Sequence, residues 1–308
     1  MIKTLFQKLA VLFLIFLGAV LIVHTLIYLI PGDPAVMIAG EYASREDLQR
    51  IRSELSLDQS FWTRYAVYTR NILLLDFGNS IYYGKPVFSI LCDRFPATLL
   101  IALLSMLIAG AGGIILGISS ALFQGTWKDG LILGIYSLFI STPVFVSCFI
   151  LALVFSYGLG LLPPSGKMGL NPAYMIMPAL ALASRSLALI IRVTRNEMID
   201  VLNKNYIRTA RALGFPERRV VFLFGLKNVI VPVMTIILLD FGAYLGGAVV
   251  TETVFSWPGI GRLMIIALQK RDVPLVQGVI IFGTLLFILV GLAIDMLPRL
   301  FSRGSRHA

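Results

Sequence analysis

The chain has 308 residues, 58% of them hydrophobic and only 14% charged, with a net charge of +10. A soluble domain would carry about a quarter charged residues, so the composition excludes a water-soluble globular fold. The positive excess does not indicate nucleic acid. It sits mostly in loops between apolar runs, where topology and anionic headgroups account for it, and no basic domain with interleaved aromatics accompanies it.

A bilayer crossing needs about 20 consecutive apolar residues. Six runs qualify: residues 9–30, 97–123, 131–157, 173–194, 229–254 and 273–297. None alternates as a barrel strand would. The predicted fold class is an all-α polytopic membrane protein with six transmembrane helices, one domain over residues 1–308. The first run follows Lys3 and Lys8, is too long for a cleaved signal and has no small-residue cleavage site before Ile30-Pro31-Gly32-Asp33-Pro34. It reads as a retained first helix.

Residues 31–96 form a loop of about 65 residues, long enough to translocate regardless of its charge. Ser44 starts an expected amphipathic helix through Leu57, with Asp47 in a variant of the capping box. The loop should form a small cap on the outer face, returning through Asp76-Phe77-Gly78-Asn79-Ser80 and Phe95-Pro96-Ala97-Thr98. Cys92 falls in this loop and Cys148 in the third run, so neither a disulfide nor a metal site is expected.

Glycines cluster in the second run (Gly110, Gly112, Gly113, Gly117) and in the fifth (Gly242, Gly246, Gly247). Their four-residue spacings let helix backbones approach closely. Gly242 and Gly246 are read either as packing within the subunit or as a subunit interface or moving seam. Lys167 is the one basic residue of loop 158–172.

Residues 195–228 hold Arg195, Lys204, Arg208, Arg211, Arg218, Arg219 and Lys227, and the tail adds Arg299, Arg303 and Arg306. The positive-inside rule places this loop and both termini in the cytoplasm. Arg262, Lys270 and Arg271 are the exception, on the outer side. Within the loop, Gly214-Phe215-Pro216 ends one helix and begins another. A short helix over residues 216–224 should carry Glu217, Arg218 and Arg219 toward the cytoplasm. Gly214 is expected to be packed so that no side chain fits.

Two charges fall deep in the apolar runs. At about 1.5 Å per residue, Arg185 and Asp240 lie roughly 15–18 Å above the cytoplasmic surface. Charges at such depth face the protein interior or a water-filled path. Three readings stay open: a direct or water-bridged pair, separate roles lining a path, or partners elsewhere.

Chemistry is sparse. His24 and His307 are the only histidines. Gly160 to Lys167 mimics a phosphate-binding loop, but the spacing is wrong and Met168 stands where Ser or Thr is needed. No nucleophile–base pair stands out, so no catalytic, cofactor-binding or metal-binding residue is expected.

The chain resembles the inner-membrane permease subunits of binding-protein-dependent ABC importers, in the dipeptide, oligopeptide and nickel branch. The resemblance rests on motifs in order: Pro31-Gly32-Asp33-Pro34, Leu57-Asp58-Gln59, Asp76-Phe77-Gly78-Asn79-Ser80, Pro96-Ala97-Thr98-Leu99 and Leu162-Pro163-Pro164-Ser165-Gly166. It continues through Tyr206-Ile207-Arg208-Thr209-Ala210-Arg211-Ala212-Leu213-Gly214, the segment from Glu252 through Trp257-Pro258-Gly259 to Arg262, and Arg271-Asp272-Val273-Pro274. The stretch from Arg208 to Gly214 looks like the EAA loop that docks in a groove of the ATPase. Ala210 and Gly214 match that pattern, while Arg208 and Thr209 replace its leading Glu and first Ala.

The resemblance implies a bacterial inner-membrane subunit paired with a second homologous permease. It implies two ATPase subunits or domains carrying ATP and Mg2+, and an extracytoplasmic substrate-binding protein. Arg208, Ala210, Gly214, Glu217, Arg218 and Arg219 would couple the chain to the ATPase. The cargo would be di- or oligopeptides, with chelated nickel as the alternative. A channel or self-sufficient secondary transporter would need an internal repeat or a midplane ion site. An intramembrane enzyme would need a catalytic pair.

Overall fold

The computed structural model describes residues 2–29, 44–46, 49, 52, 58–169 and 171–302. Most of the helix expected from Ser44, the Pro31-Gly32-Asp33-Pro34 motif, Arg303, Arg306 and His307 lie outside these residues. Among the described residues the chain is helical, and its only β feature is an isolated bridge between Asn79 and Pro86. The helices are α1 (Ile2–Leu29), α2 (Phe61–Leu73), α3 (Val87–Leu122), α4 (Trp127–Ser141), α5 (Val144–Gly158) and α6 (Ala173–Leu202). They continue as α7 (Asn205–Ala212), α8 (Glu217–Leu245), α9 (Val249–Val254), α10 (Ile260–Gln269) and α11 (Val273–Ser302).

By length and apolarity α3, α6, α8 and the Val273–Met296 part of α11 can each cross a bilayer. Three expectations are corrected. Residues 131–157 are not one straight helix, because α4 and α5 meet at 106°. Pro143 disfavours the helical conformation for Thr142, which is extended with ψ 118. The Thr142 amide and hydroxyl both bond back to the Leu138 carbonyl, at 3.1 and 2.7 Å. The fifth run stops at Leu245, where Gly246 and Gly247 (φ +114) turn the chain into the separate α9. Finally, α3 starts at Val87, so Cys92 and Pro96 lie on a helix and not in irregular chain.

The chain divides into two compact units. The first joins Met1–Phe95 with Leu263–Ile288. In it α2 lies on α1: the Tyr65 hydroxyl donates to the Leu17 carbonyl at 3.0 Å, and the His24 ring meets Phe61 with centroids 5.0 Å apart. Buried Asp272 is the polar centre of this unit. It accepts hydrogen bonds from the Ser80 hydroxyl and, at 3.0 Å, from the Tyr82 amide. Its other oxygen caps α11 through the Leu275 amide at 3.2 Å.

The second unit joins Pro96–Arg262 with Leu289–Ala308. Its centre is α6, whose apolar stretch is 67% buried, against 28% for α8. Gly113 and Gly117 bring α3 against α6. A Cβ at Gly117 would lie 2.5 Å from Thr194 Cβ and 2.9 Å from the Ile191 carbonyl, and one at Gly113 would lie 2.5 Å from Ile190 Cγ2. That seam belongs to one subunit.

Candidate coupling surface and membrane-embedded polar cluster

The free-standing helix of residues 195–228 is α7, not the expected helix over 216–224. Residues from Glu217 onward run into the long α8 through a π-helical stretch, Val220–Gly225. The apolar sequence after Arg219 offers no polar break, so the helix continues. On α7, Ile207 is fully buried and Ala210 nearly so, both in a core with Met198 and Val220. Asn228 Nδ2 donates to the Tyr206 hydroxyl at 2.9 Å, tying α8 to α7. The Phe215 and Phe224 rings meet edge to face at 5.4 Å.

Two orphan carbonyls at the end of α7 are satisfied by the Gly214 amide to Arg211 at 3.0 Å and the Phe215 amide to Ala210 at 3.3 Å. This is a Schellman ending, which needs a left-handed residue at Gly214, and its φ is +81. The expectation of a packed Gly214 is overturned: a Cβ there meets nothing within 4 Å. Backbone hand, not space, selects glycine.

Arg211 spans the turn to Glu217 with bonds of 3.2 and 2.6 Å, and the Glu217 carboxylate holds the Arg211 proton more firmly than usual. Both side chains are exposed, so the pair shapes the turn more than it stabilises the fold. Around it Arg208, Leu213, Phe215, Arg218 and Arg219 are all exposed, Leu213 at 72%. The surface is cationic with an apolar centre, on a rigidly based helix.

Sequence reading missed a buried ion pair in the second unit. Asp129 is buried and receives a two-pronged bond from Arg195, at 2.9 and 2.8 Å. The Ser120 hydroxyl (2.5 Å) and the Gly125 amide (3.1 Å) also donate to it. The turn between α3 and α4 is thereby fixed to α6.

Deeper in the second unit, Arg185 and Asp240 do not form an ion pair in this structure. Asp240 accepts a hydrogen bond from Ser186, whose hydroxyl lies 2.6 Å from that of Tyr244. The Tyr244 hydroxyl in turn donates to the Leu182 carbonyl at 2.8 Å. Arg185 is exposed and Asp240 half-buried. Gly242 is buried within its own chain, and Gly246 ends α8.

The motif from Glu252 to Arg262 folds into a buried knot. The Glu252 carboxylate accepts from Thr98 Oγ1 at 2.7 Å and the Arg262 amide at 2.9 Å, while Thr98 Oγ1 accepts from the Ile260 amide at 2.8 Å. Trp257 Nε1 donates to the Ala97 carbonyl at 2.8 Å. A Cβ at Gly259 would come within 2.4 Å of both Glu252 and Thr98 oxygens. These residues hold the fold. Among the described residues, no group of three or more His, Cys, Asp or Glu is placed to hold a metal ion.

The family description "Binding-prot-dependent transport system membrane comp, N-term" matches residues 1–102. "Binding-protein-dependent transport system inner membrane component" matches residues 113–307. The dipeptide transport system permease protein DppB of Escherichia coli K12 is 35% identical over 337 aligned residues, covering 100% of this chain and 99% of that protein. The glutathione transport system permease protein GsiC is 38% identical in Escherichia coli K12 and 36% in Salmonella typhimurium LT2, with 93% of each chain covered. Among solved structures, one of the inward-facing MetNI methionine ABC transporter superposes with a TM-score of 0.54 at 16% identity. It covers 69% of this chain and 96% of that one, which supports the fold alone. The chain therefore belongs to the family of inner-membrane components of binding-protein-dependent transport systems, the non-catalytic membrane subunits of ABC importers, in which partner subunits hydrolyse ATP.

Proposed function

We propose that this chain is one of two related permeases that together form the path for ATP-driven uptake of di- and oligopeptides delivered by an extracytoplasmic binding protein. The observation that carries the reading is α7, a helix clamped by Ile207 and Ala210 that presents Arg208, Leu213, Arg218 and Arg219 outward. ATP-bearing, Mg2+-dependent subunits dock there, and their closure moves α6 and α8 through the clamp. Ligand-driven switching of this kind needs differential affinity for two states, which ATP supplies by drawing the docked subunits together. The names of the DppB and GsiC relatives support a peptide cargo over chelated nickel.

In this reading α1 and the broken α4–α5 pair complete six crossings, and both termini are cytoplasmic. Residues 1–308 act as one transmembrane domain, with 31–96 outside the membrane and 195–228 as the coupling segment. Gly242 and Gly246 remain candidates for the seam with the second permease, alongside their packing role.

The test is reconstitution of the four-part importer in liposomes. Labelled peptide should accumulate only with ATP and binding protein. Arg208→Glu combined with Leu213→Asp should abolish uptake and ATPase stimulation at normal membrane levels, whereas Gly214→Asn should retain both. Accumulation of chelated nickel but no peptide would overturn the cargo. Uptake without binding protein or ATP would favour a channel or secondary transporter.

A further inference from the structure

The face that α6 leaves open is polar. Arg185, Arg192 and Asn196 are exposed and Leu189 half-buried, at helical spacings that place them on one side. The neighbouring α3 shows what a lipid-facing stripe looks like: its exposed residues include Leu103, Leu107 and Ile115. A guanidinium in mid-span is too costly to face hydrocarbon, so the α6 stripe borders water.

The local hydrogen bonding leaves this cation available. Asp240 is engaged by Ser186 and not by Arg185, and Ser186 is itself held against Tyr244, which is anchored to the Leu182 carbonyl. Among the described residues Arg185 has no hydrogen-bond or ion-pair partner, and its side chain is exposed. Asp240 bonds the hydroxyl of Ser186, the residue next to Arg185 in the chain, so the carboxylate stays close enough to temper the field of the guanidinium. A passing anion would then be held, but weakly enough to leave, as a conduction path requires.

We infer that Arg185 is an anion-binding position in the translocation path that takes the terminal carboxylate of the transported solute, with the Asp240–Ser186–Tyr244 network keeping it free of an internal partner. The identity of the carboxylate donor rests on the peptide reading above, whereas the anion site does not.

The experiment uses the assembled importer with Cys92 and Cys148 replaced by serine and Leu189→Cys as reporter, one turn from Arg185. Anionic and cationic methanethiosulfonate reagents of similar size are compared. The anionic reagent should react faster, and Arg185→Gln should reduce the anionic-to-cationic rate ratio by about tenfold or more, the scale of electrostatic focusing in a charged cleft. A dipeptide delivered by the binding protein should slow the anionic reagent, and its C-terminal amide should do so far less. An unchanged ratio in Arg185→Gln, or a thiol inert to both reagents, would overturn the anion site. Equal protection by acid and amide would overturn carboxylate recognition. A wild-type importer that takes up no peptide but keeps the Arg185-dependent ratio would confirm the anion site while refuting the peptide cargo.

Discussion

Asp129 illustrates how much one side chain fixes in the second unit. Its carboxylate collects a guanidinium, a hydroxyl and an amide, so every strong acceptor direction is used. Removing one member of a buried pair leaves an uncompensated charge, typically costing about 3–5 kcal/mol. Arg195→Ala is expected to lower the thermal midpoint and membrane level of the protein. Asp129→Asn combined with Arg195→Gln should cost less than the sum of the two single changes. Reversing both charges should not rescue, because Ser120 and Gly125 would then direct donors at a cation. Rescue by the reversal, measured in a double-mutant cycle, would show that those two contacts contribute nothing. No sequence pattern revealed the pair: its partners lie 66 residues apart. A turn aspartate beside Gly125 and Thr126 reads as a helix-start residue, and Arg195 as one more topogenic charge.

Helices were legible where one signal dominates. Spans α3, α6 and α11 follow from apolar length, and their cores need little else. Breaks were less legible. Thr142-Pro143 sits in a continuous apolar run, and run length alone does not show the break there. At α7 the stop at Gly214 is legible, yet the helix expected over 216–224 runs on, because the apolar sequence after Arg219 carries it into the long α8. The glycine seams show the same asymmetry: spacing marked both Gly113–Gly117 and Gly242–Gly246, but only coordinates show that the first faces α6. Gly117→Ala should therefore destabilise the purified protein by about 1–3 kcal/mol, as overpacking does. The obstructing atoms include the Ile191 backbone oxygen, which cannot swing aside. Gly130→Ala on α4, where a Cβ meets nothing within 4 Å, is the control and should be neutral or slightly stabilising. Equal midpoints for the two variants would remove the seam from the account.

At the scale of the whole molecule, the exposed surfaces of the described residues are not all lipid-like. The cationic surface beside α7 and Arg185 on α6 are both exposed, the expected condition of one subunit of a larger assembly. The π-helical stretch Val220–Gly225 of α8 packs against both α7 and α6. Such a stretch accommodates one residue more than an α-helical turn would hold. It therefore absorbs the extra residue, so that the helical face before it keeps its angular relation to the apolar length of α8. Deleting Leu223, an exposed residue, would let the stretch relax to ordinary α-helix with Glu217, Arg218 and Arg219 held at nearly the same angle, because five α-helical residues turn as far as six wider-wound ones, about 500°. Inserting one alanine between Arg219 and Val220 instead would turn those three residues by about 100° about the axis. Both proteins should insert and assemble; the deletion protein should respond to loaded binding protein, and the insertion protein should not. An insertion protein that transports as well as wild type would mean that angular phase is irrelevant. If phase does matter, this stretch is where a residue can be lost without turning the coupling face, a buffer that lets chain length vary at this place while the docking geometry is kept.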